Sequence, residues 1–243
     1  MTGAGRPALW AAGSLAGAVA DLTAKLGHDV ATVFGPSGLL RRRIAAGEPC
    51  DLFLSADLGH PVALARAGWA GAVARFASNA LCALVRPGLN VGPTDLLDRL
   101  LDPAVTVGTS TPGADPSGDY AWKLFAAAET VRPGARAALV AKARVLTGGK
   151  VPPAPPPGRH VYAWLVDSGQ AELFLTYRTN ALQAVADNPA LGIVEPPPTL
   201  SVAASYALAV RRDAPRSVRP LALAILAPEG RAVLDAHGFV TDD

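Results

Sequence analysis

At 243 residues, half of them apolar and 17% charged, the chain has material for one large domain or for two lobes with separate cores. A net charge of +2 is too small to point to nucleic acid, and no run approaches the roughly 18 uninterrupted apolar residues of a membrane span. The two cysteines, Cys50 and Cys82, fall in strand-like segments and read as free buried thiols, with a single disulfide left open, so cysteine usage does not give the compartment.

The chain opens on MTGAGRPALWAAGSLAGAVA and continues at Asp21. A secretion signal would need a basic start and an unbroken apolar stretch, but Arg6 is the only early cation and Gly13-Ser14 interrupts the stretch. Leu15, Val19, Leu22 and Leu26 instead follow the spacing of one helix face. The pattern predicts a strand at 8–12, a turn at Gly13-Ser14, and a helix from Leu15 to about Leu26 that Gly27 ends. Cutting after Ala20 would divide that helix, so the chain reads either as a form lacking its signal or as one with an unusual start.

Further strands are predicted at 30–34, 51–55, 80–85, 105–108, 172–176, 192–195 and 205–210, with helices filling most of the gaps. This alternation predicts an α/β protein with largely parallel sheet. The stretch GGKVPPAPPPG at 148–158 can be neither helix nor central strand, because its prolines remove donors and fix the backbone. Lobe boundaries are expected near Ala80 to Arg86 and Ser201 to Arg211, giving one lobe of residues 1–82 and 206–243 and another of 83–205. The helices after Ser217 then return to the first lobe. Arg41, Arg42 and Arg43 read as a solvated helix face near a helix end.

Enzyme motifs fail on spacing or context. Gly3-Ala4-Gly5 precedes the first strand where a dinucleotide fingerprint would follow it, and Thr147-Gly148-Gly149-Lys150 lacks the rest of a phosphate loop. Gly35-Pro36-Ser37-Gly38 is one residue short of a nucleophile elbow. His28, His60, His160 and His237 are isolated from one another, with no second zinc ligand at a usable spacing. What survives is a pattern repeated around Ser14, Ser37 and Ser117: a strand, a small or polar turn containing serine, then a helix. A helix start offers unpaired N–H groups and partial positive charge, and so suits an anion. One such serine alone is an ordinary N-cap. Three at corresponding strand ends, where open α/β sheets take ligands, point to an anion site.

The stretches AAGSL, FGPSGLLRRRIAAGEPCDLFLSAD, NALCALVRPG, DPSGDYAW and AELFLTYRTNA resemble, in order, the molybdate-binding periplasmic proteins of ABC importers, and the run from Asp51 to Asp57 is the most specific part. The resemblance covers nearly the whole chain. It implies a type II periplasmic binding protein, with two α/β lobes of mixed sheet joined by two crossing strands and closing on a tetrahedral oxyanion. Carried over by position, Ser14 and Ser37 would donate hydroxyl and backbone bonds, Ser117 mainly its backbone N–H, and Tyr177 its phenol. The family's fourth backbone contact falls loosely on Gly158 or Arg159. Facing the cleft, Arg159 would grip the anion bidentately; facing outward, it would be a loop arginine. Asp115 and Asp119 are expected to cap or charge a helix start.

The expected function is therefore that of a monomeric, non-catalytic receptor that captures molybdate or tungstate outside the cytoplasmic membrane and passes it to a membrane permease. It needs no cofactor and no nucleic acid, and the metal enters only as the centre of the oxyanion, without direct metal ligands. Neutral donors suit a fully ionised dianion, which only accepts hydrogen bonds. The alternatives are a receptor for another small anionic solute on the same fold, an enzyme acting on a small anion, and the sensing half of a transcription regulator. The last would need a DNA-binding domain ahead of Ala8, where the sequence leaves no room.

Overall fold

A computed structural model describes residues 6–25, 27, 29–150 and 154–241. Leu26 at the expected helix end, His28, the glycines of the Gly3-Ala4-Gly5 stretch and residues 151–153 of the proline-rich stretch lie outside the described residues. The chain divides into two compact units, residues 1–79 with 204–243 and residues 80–203. The sequence placed these divisions at 82/83 and 205/206. The C-terminal helices belong to the unit that contains the N-terminus.

The first unit begins with β1 (Ala8–Ala12), a 3-10 turn (Gly13–Leu15), α1 (Ala16–Lys25), β2 (Ala31–Gly35), α2 (Ser37–Ala45), β3 (Leu52–Ser55) and α3 (Gly59–Arg66). It continues into β4 (Ala70–Val85), whose last residues enter the second unit. That unit holds α4 (Leu96–Leu101), β5 (Val107–Ser110), α5 (Pro116–Val131), α6 (Ala135–Lys142), β6 (Arg144–Thr147), α7 (Val161–Asp167), β7 (Leu173–Tyr177), α8 (Arg178–Asp187) and β8 (Gly192–Val194). The chain then returns through β9 (Ala203–Arg211) to α9 (Val218–Leu226) and α10 (Pro228–Ala236).

In the first unit β1 lies between β2 and β3 and runs parallel to both, with Ala12 opposite Gly35 and Ala11 opposite Leu54. Strand β9 is antiparallel to β3, Ser55 facing Ala207 and Leu52 facing Val210. In the second unit β5 runs parallel to β6 and β7, while β4 pairs antiparallel with β7 and β8. The sheets are thus mixed, with a parallel set of three strands in each unit.

Each unit has its own core. Trp10, Leu40, Ile44, Phe53 and Leu64 pack together in the first, and Leu84, Tyr162, Leu165, Phe174 and Leu191 in the second. Burying a side chain of the size of Phe53 or Phe174 contributes roughly 2–3 kcal/mol. Cys50 and Cys82 are both free thiols, buried one in each core. Burial pushes the Cys50 thiol up to about 12 and raises that of Cys82 as well.

Two strands differ from expectation. β4 starts at Ala70, ten residues before the predicted strand; AGAVARFASN did not read as strand because it is rich in small residues of weak strand preference. The four residues of β6, RVLT, were not predicted; this strand pairs with β5, and most of it stays partly exposed, without a clear apolar alternation. The described part of the proline-rich stretch is neither helix nor strand, as its composition requires. Of the basic knot, Arg43 forms a two-pronged pair with Glu48 and lies 4.4 Å from the centre of the Trp10 ring, in the last turn of α2.

Candidate functional site

In the first unit, parallel pairing brings the C-terminal ends of β1, β2 and β3 to one edge of the sheet. Ser14 follows β1, and its Oγ lies 2.8 Å from the Tyr206 hydroxyl on β9. Ser37 follows β2 as the first residue of α2 and is fully buried. Its Oγ accepts the Ala56 N–H at 3.1 Å, just past β3, which leaves its own O–H to donate. No side chain caps α2, whose Ser37 and Gly38 are both buried. The first N–H groups of a helix have no partner within it. A buried helix start with uncapped donors and a buried hydroxyl is suited to receiving an acceptor-only group.

Asp51 opens the sequence run from Asp51 to Asp57, yet it stands at the opposite edge of this sheet. Its carboxylate accepts the Ala8 N–H and a two-pronged bond from Arg211, so it ties the start of β1 to the end of β9. Its role is structural. At the other end of the run, Asp57 accepts the Gly59 N–H at 2.7 Å and so helps to start α3.

In the second unit, the ends of β5, β6 and β7 bring Ser110, Thr147 and Tyr177 to one edge. Asp115 caps α5 from just ahead of Pro116. Its carboxylate accepts the Ser117 N–H at 3.2 Å and the Ser110 hydroxyl at 2.6 Å. The Ser117 N–H expected to serve a ligand is therefore taken by the cap. The Ser117 hydroxyl is buried and has no hydrogen-bond partner among the described residues, as are the hydroxyls of Thr109 and Thr147. Burial raises the Asp115 carboxyl above the usual carboxylate range, and the bonds from Ser110 and Ser117 oppose that rise.

The hydroxyl of Tyr162 is pushed up to about 12 by burial, against the opposing pull of the Thr176, Thr147 and Ser117 hydroxyls near it. Tyr177 is also buried, its ring 6.2 Å from that of Tyr120. Two glycines make this edge possible. A side chain at Gly118 would come within 2.6 Å of the Ser110 carbonyl oxygen, and Gly148, at a φ of +73°, abuts the Ser110 hydroxyl and Asp115. Thr147 was missed because β6 was missed; its hydroxyl is as buried and as unpaired as that of Ser117.

Arg159 lies in the loop ahead of α7, partly exposed and paired with two carboxylates. Its Nε donates to Asp187 at 2.9 Å and a terminal nitrogen donates to Asp167 at 2.5 Å, and the pair of bonds raises its pKa. Asp187 ends α8, which begins beside Tyr177, and ten helical residues span about 15 Å. The guanidinium is thus held at the end of α8 remote from Tyr177, as a clasp between α7 and α8. Among the described residues no group of three or more His, Cys, Asp or Glu side chains could hold a metal ion. No helix among them is long and apolar enough to cross a membrane.

A family model described as bacterial extracellular solute-binding protein matches residues 8–240. An uncharacterised protein of Pasteurella multocida is 35% identical over 177 residues, 72% of this chain and 73% of that one. Among solved structures, the Azotobacter vinelandii periplasmic molybdate-binding protein superposes with a TM-score of 0.78 at 20% identity, covering 98% of this chain and 100% of that one. The sulfate-binding protein SubI of Mycobacterium tuberculosis gives the same TM-score and identity, covering 98% and 87%. At this identity the likeness shows the fold alone.

Proposed function

This chain belongs to the bacterial extracellular solute-binding protein family, a family of binding proteins and not of enzymes, and on that premise we propose that it is the receptor of an ABC importer for a tetrahedral oxyanion, molybdate or tungstate. The observation that carries the reading is the buried, uncapped start of α2 with the Ser37 hydroxyl at its first position. In the first unit the donors are Ser14 and Ser37, and in the second the hydroxyls of Ser117 and Tyr177, with Thr147 as an added donor. Every group in this set is neutral and can donate. That suits a dianion with no proton of its own, and such donors discriminate by number and spacing more than by charge. The site needs no cofactor, and the receptor works outside the cytoplasmic membrane as a monomer that hands its ligand to a permease.

A second reading follows from Asp115. A buried carboxylate beside Ser117 would accept a hydrogen bond from the O–H of a hydrogen phosphate-like ligand, although both its oxygens already accept bonds. Calorimetric titration of dialysed protein with molybdate, tungstate, sulfate and phosphate separates these readings. Tight one-to-one binding of the first two, with no heat from the others, is the expected result. Equally tight sulfate binding would remove the preference for longer metal–oxygen bonds, and binding of phosphate alone would favour the second reading.

A further inference from the structure

The segment from β9 into α9, RRDAPRSVRP at 211–220, sets four arginines within nine residues of a chain whose cations and anions nearly balance, at 22 and 20. Together with the start of β4 it forms a groove of about 860 Å³ lined by Arg211, Arg212, Arg216, Arg219, Pro220 and Leu223 and by no acidic side chain. Arg211 is held by Asp51, and Arg212 donates to the Gly68 carbonyl. Among the described residues Arg216 and Arg219 have no carboxylate partner, and both are exposed. Arg219 lies in the first turn of α9, where there is no acidic residue. A cation at that end of a helix is opposed by the helix dipole. Leu223, four residues on and on the same face, is 56% exposed.

This groove is not part of the proposed anion site. Arg211 donates its N–H to the Asp51 carbonyl, at the start of β3, whereas Ser14, Ser37 and Ala56 follow the opposite ends of their strands. The length of β3, roughly 13 Å, separates the two edges. We propose that the groove is a docking surface for an acidic segment of a partner protein. Two unpaired guanidinium forks take carboxylates bidentately, and Leu223 with the flanking prolines takes an apolar side chain between them. Arginine set among exposed apolar groups is the composition of a protein interface. A flat anionic lipid surface would meet the rim arginines and leave the recess and Leu223 in water, and a lone oxyanion would fill little of the volume.

The test uses the whole protein and a short fluorescein-labelled peptide of glutamates interspersed with leucines, followed by anisotropy at low and at physiological salt. Arg216→Glu with Arg219→Glu is compared with a charge-matched pair elsewhere on the surface, Lys25→Glu with Arg66→Glu. Expected are salt-sensitive binding to the unaltered protein, a loss of about ten-fold or more in the groove pair, and less than about two-fold change in the control pair. Leu223→Ser is expected to weaken binding several-fold with the arginines intact. No binding of the peptide, or equal losses in both pairs, would overturn the proposal. So would a groove pair that loses binding only to phosphatidylglycerol vesicles, which would assign the surface to the membrane. Thermal melts confirm that each variant folds.

Discussion

Ser37 holds two positions at once: its oxygen accepts from Ala56 and its proton remains to donate. Ser37→Ala is therefore expected to remove the bond to the Ala56 N–H, at about 1 kcal/mol of stability, and to lower anion affinity by about ten-fold or more. Chemical denaturation and calorimetry read the two effects separately. Burial raises the pKa of Asp115 in the folded state, so the folded protein holds that proton more tightly than the unfolded chain. The cost of its charge is complete above the folded pKa and is relieved as pH falls through it toward the unfolded value. Relative to Asp115→Asn, the wild-type melting temperature is therefore expected to improve on acidification, and parallel pH profiles for the two proteins would contradict this. Serines after strand ends were legible because a small polar residue between an apolar run and a helical stripe leaves a plain signature. The Asp115 cap was legible in the same way, as an aspartate just ahead of Pro116, but the role of Asp51 was not, because it depends on which partner lies across the sheet.

Two helix starts show how little sequence separates a capped end from an open one. α5 has Asp115 as its cap and Pro116 at its first position, while α2 follows Pro36 with no side-chain cap at all. The closeness of α5 to the end of β5 rests on Gly118. A methyl group there would meet backbone atoms of Ser110, Thr111 and Pro112 at 2.6–2.8 Å. Gly118→Ala is expected to cost about 1–3 kcal/mol in denaturant unfolding and to weaken anion binding by shifting Ser117. Arg159→Ala is expected to lower the melting temperature by loosening α7 from α8, with anion affinity unchanged by calorimetry. A loss of affinity would return Arg159 to the ligand. The parallel strands other than β6 were readable as short apolar runs. β6 and the first part of β4 were not, since a four-residue, half-exposed strand and an alanine-rich one carry no periodic signal.

At the scale of the whole molecule, the chain leaves the first unit once within β4 and returns at the start of β9, so each unit closes its own core. The sequence could show that two lobes exist, from its strand and helix alternation and its resemblance to bilobed receptors. It could not fix the crossing points, because β4 and β9 continue through them without a break in composition. The two thiols turn this division into a measurement. Cys50 reports on the first core and Cys82 on the second, both buried and both shifted away from reactivity. Under native conditions a thiol reagent can reach each one only when its own half opens. Peptide mapping of the label would then give two separate opening free energies from one sample. Adding molybdate at a hundred times its Kd should raise both by about 2.7 kcal/mol if the anion grips both halves, and only one if it does not. The unmodified chain thus carries a pair of internal clocks, one for each half.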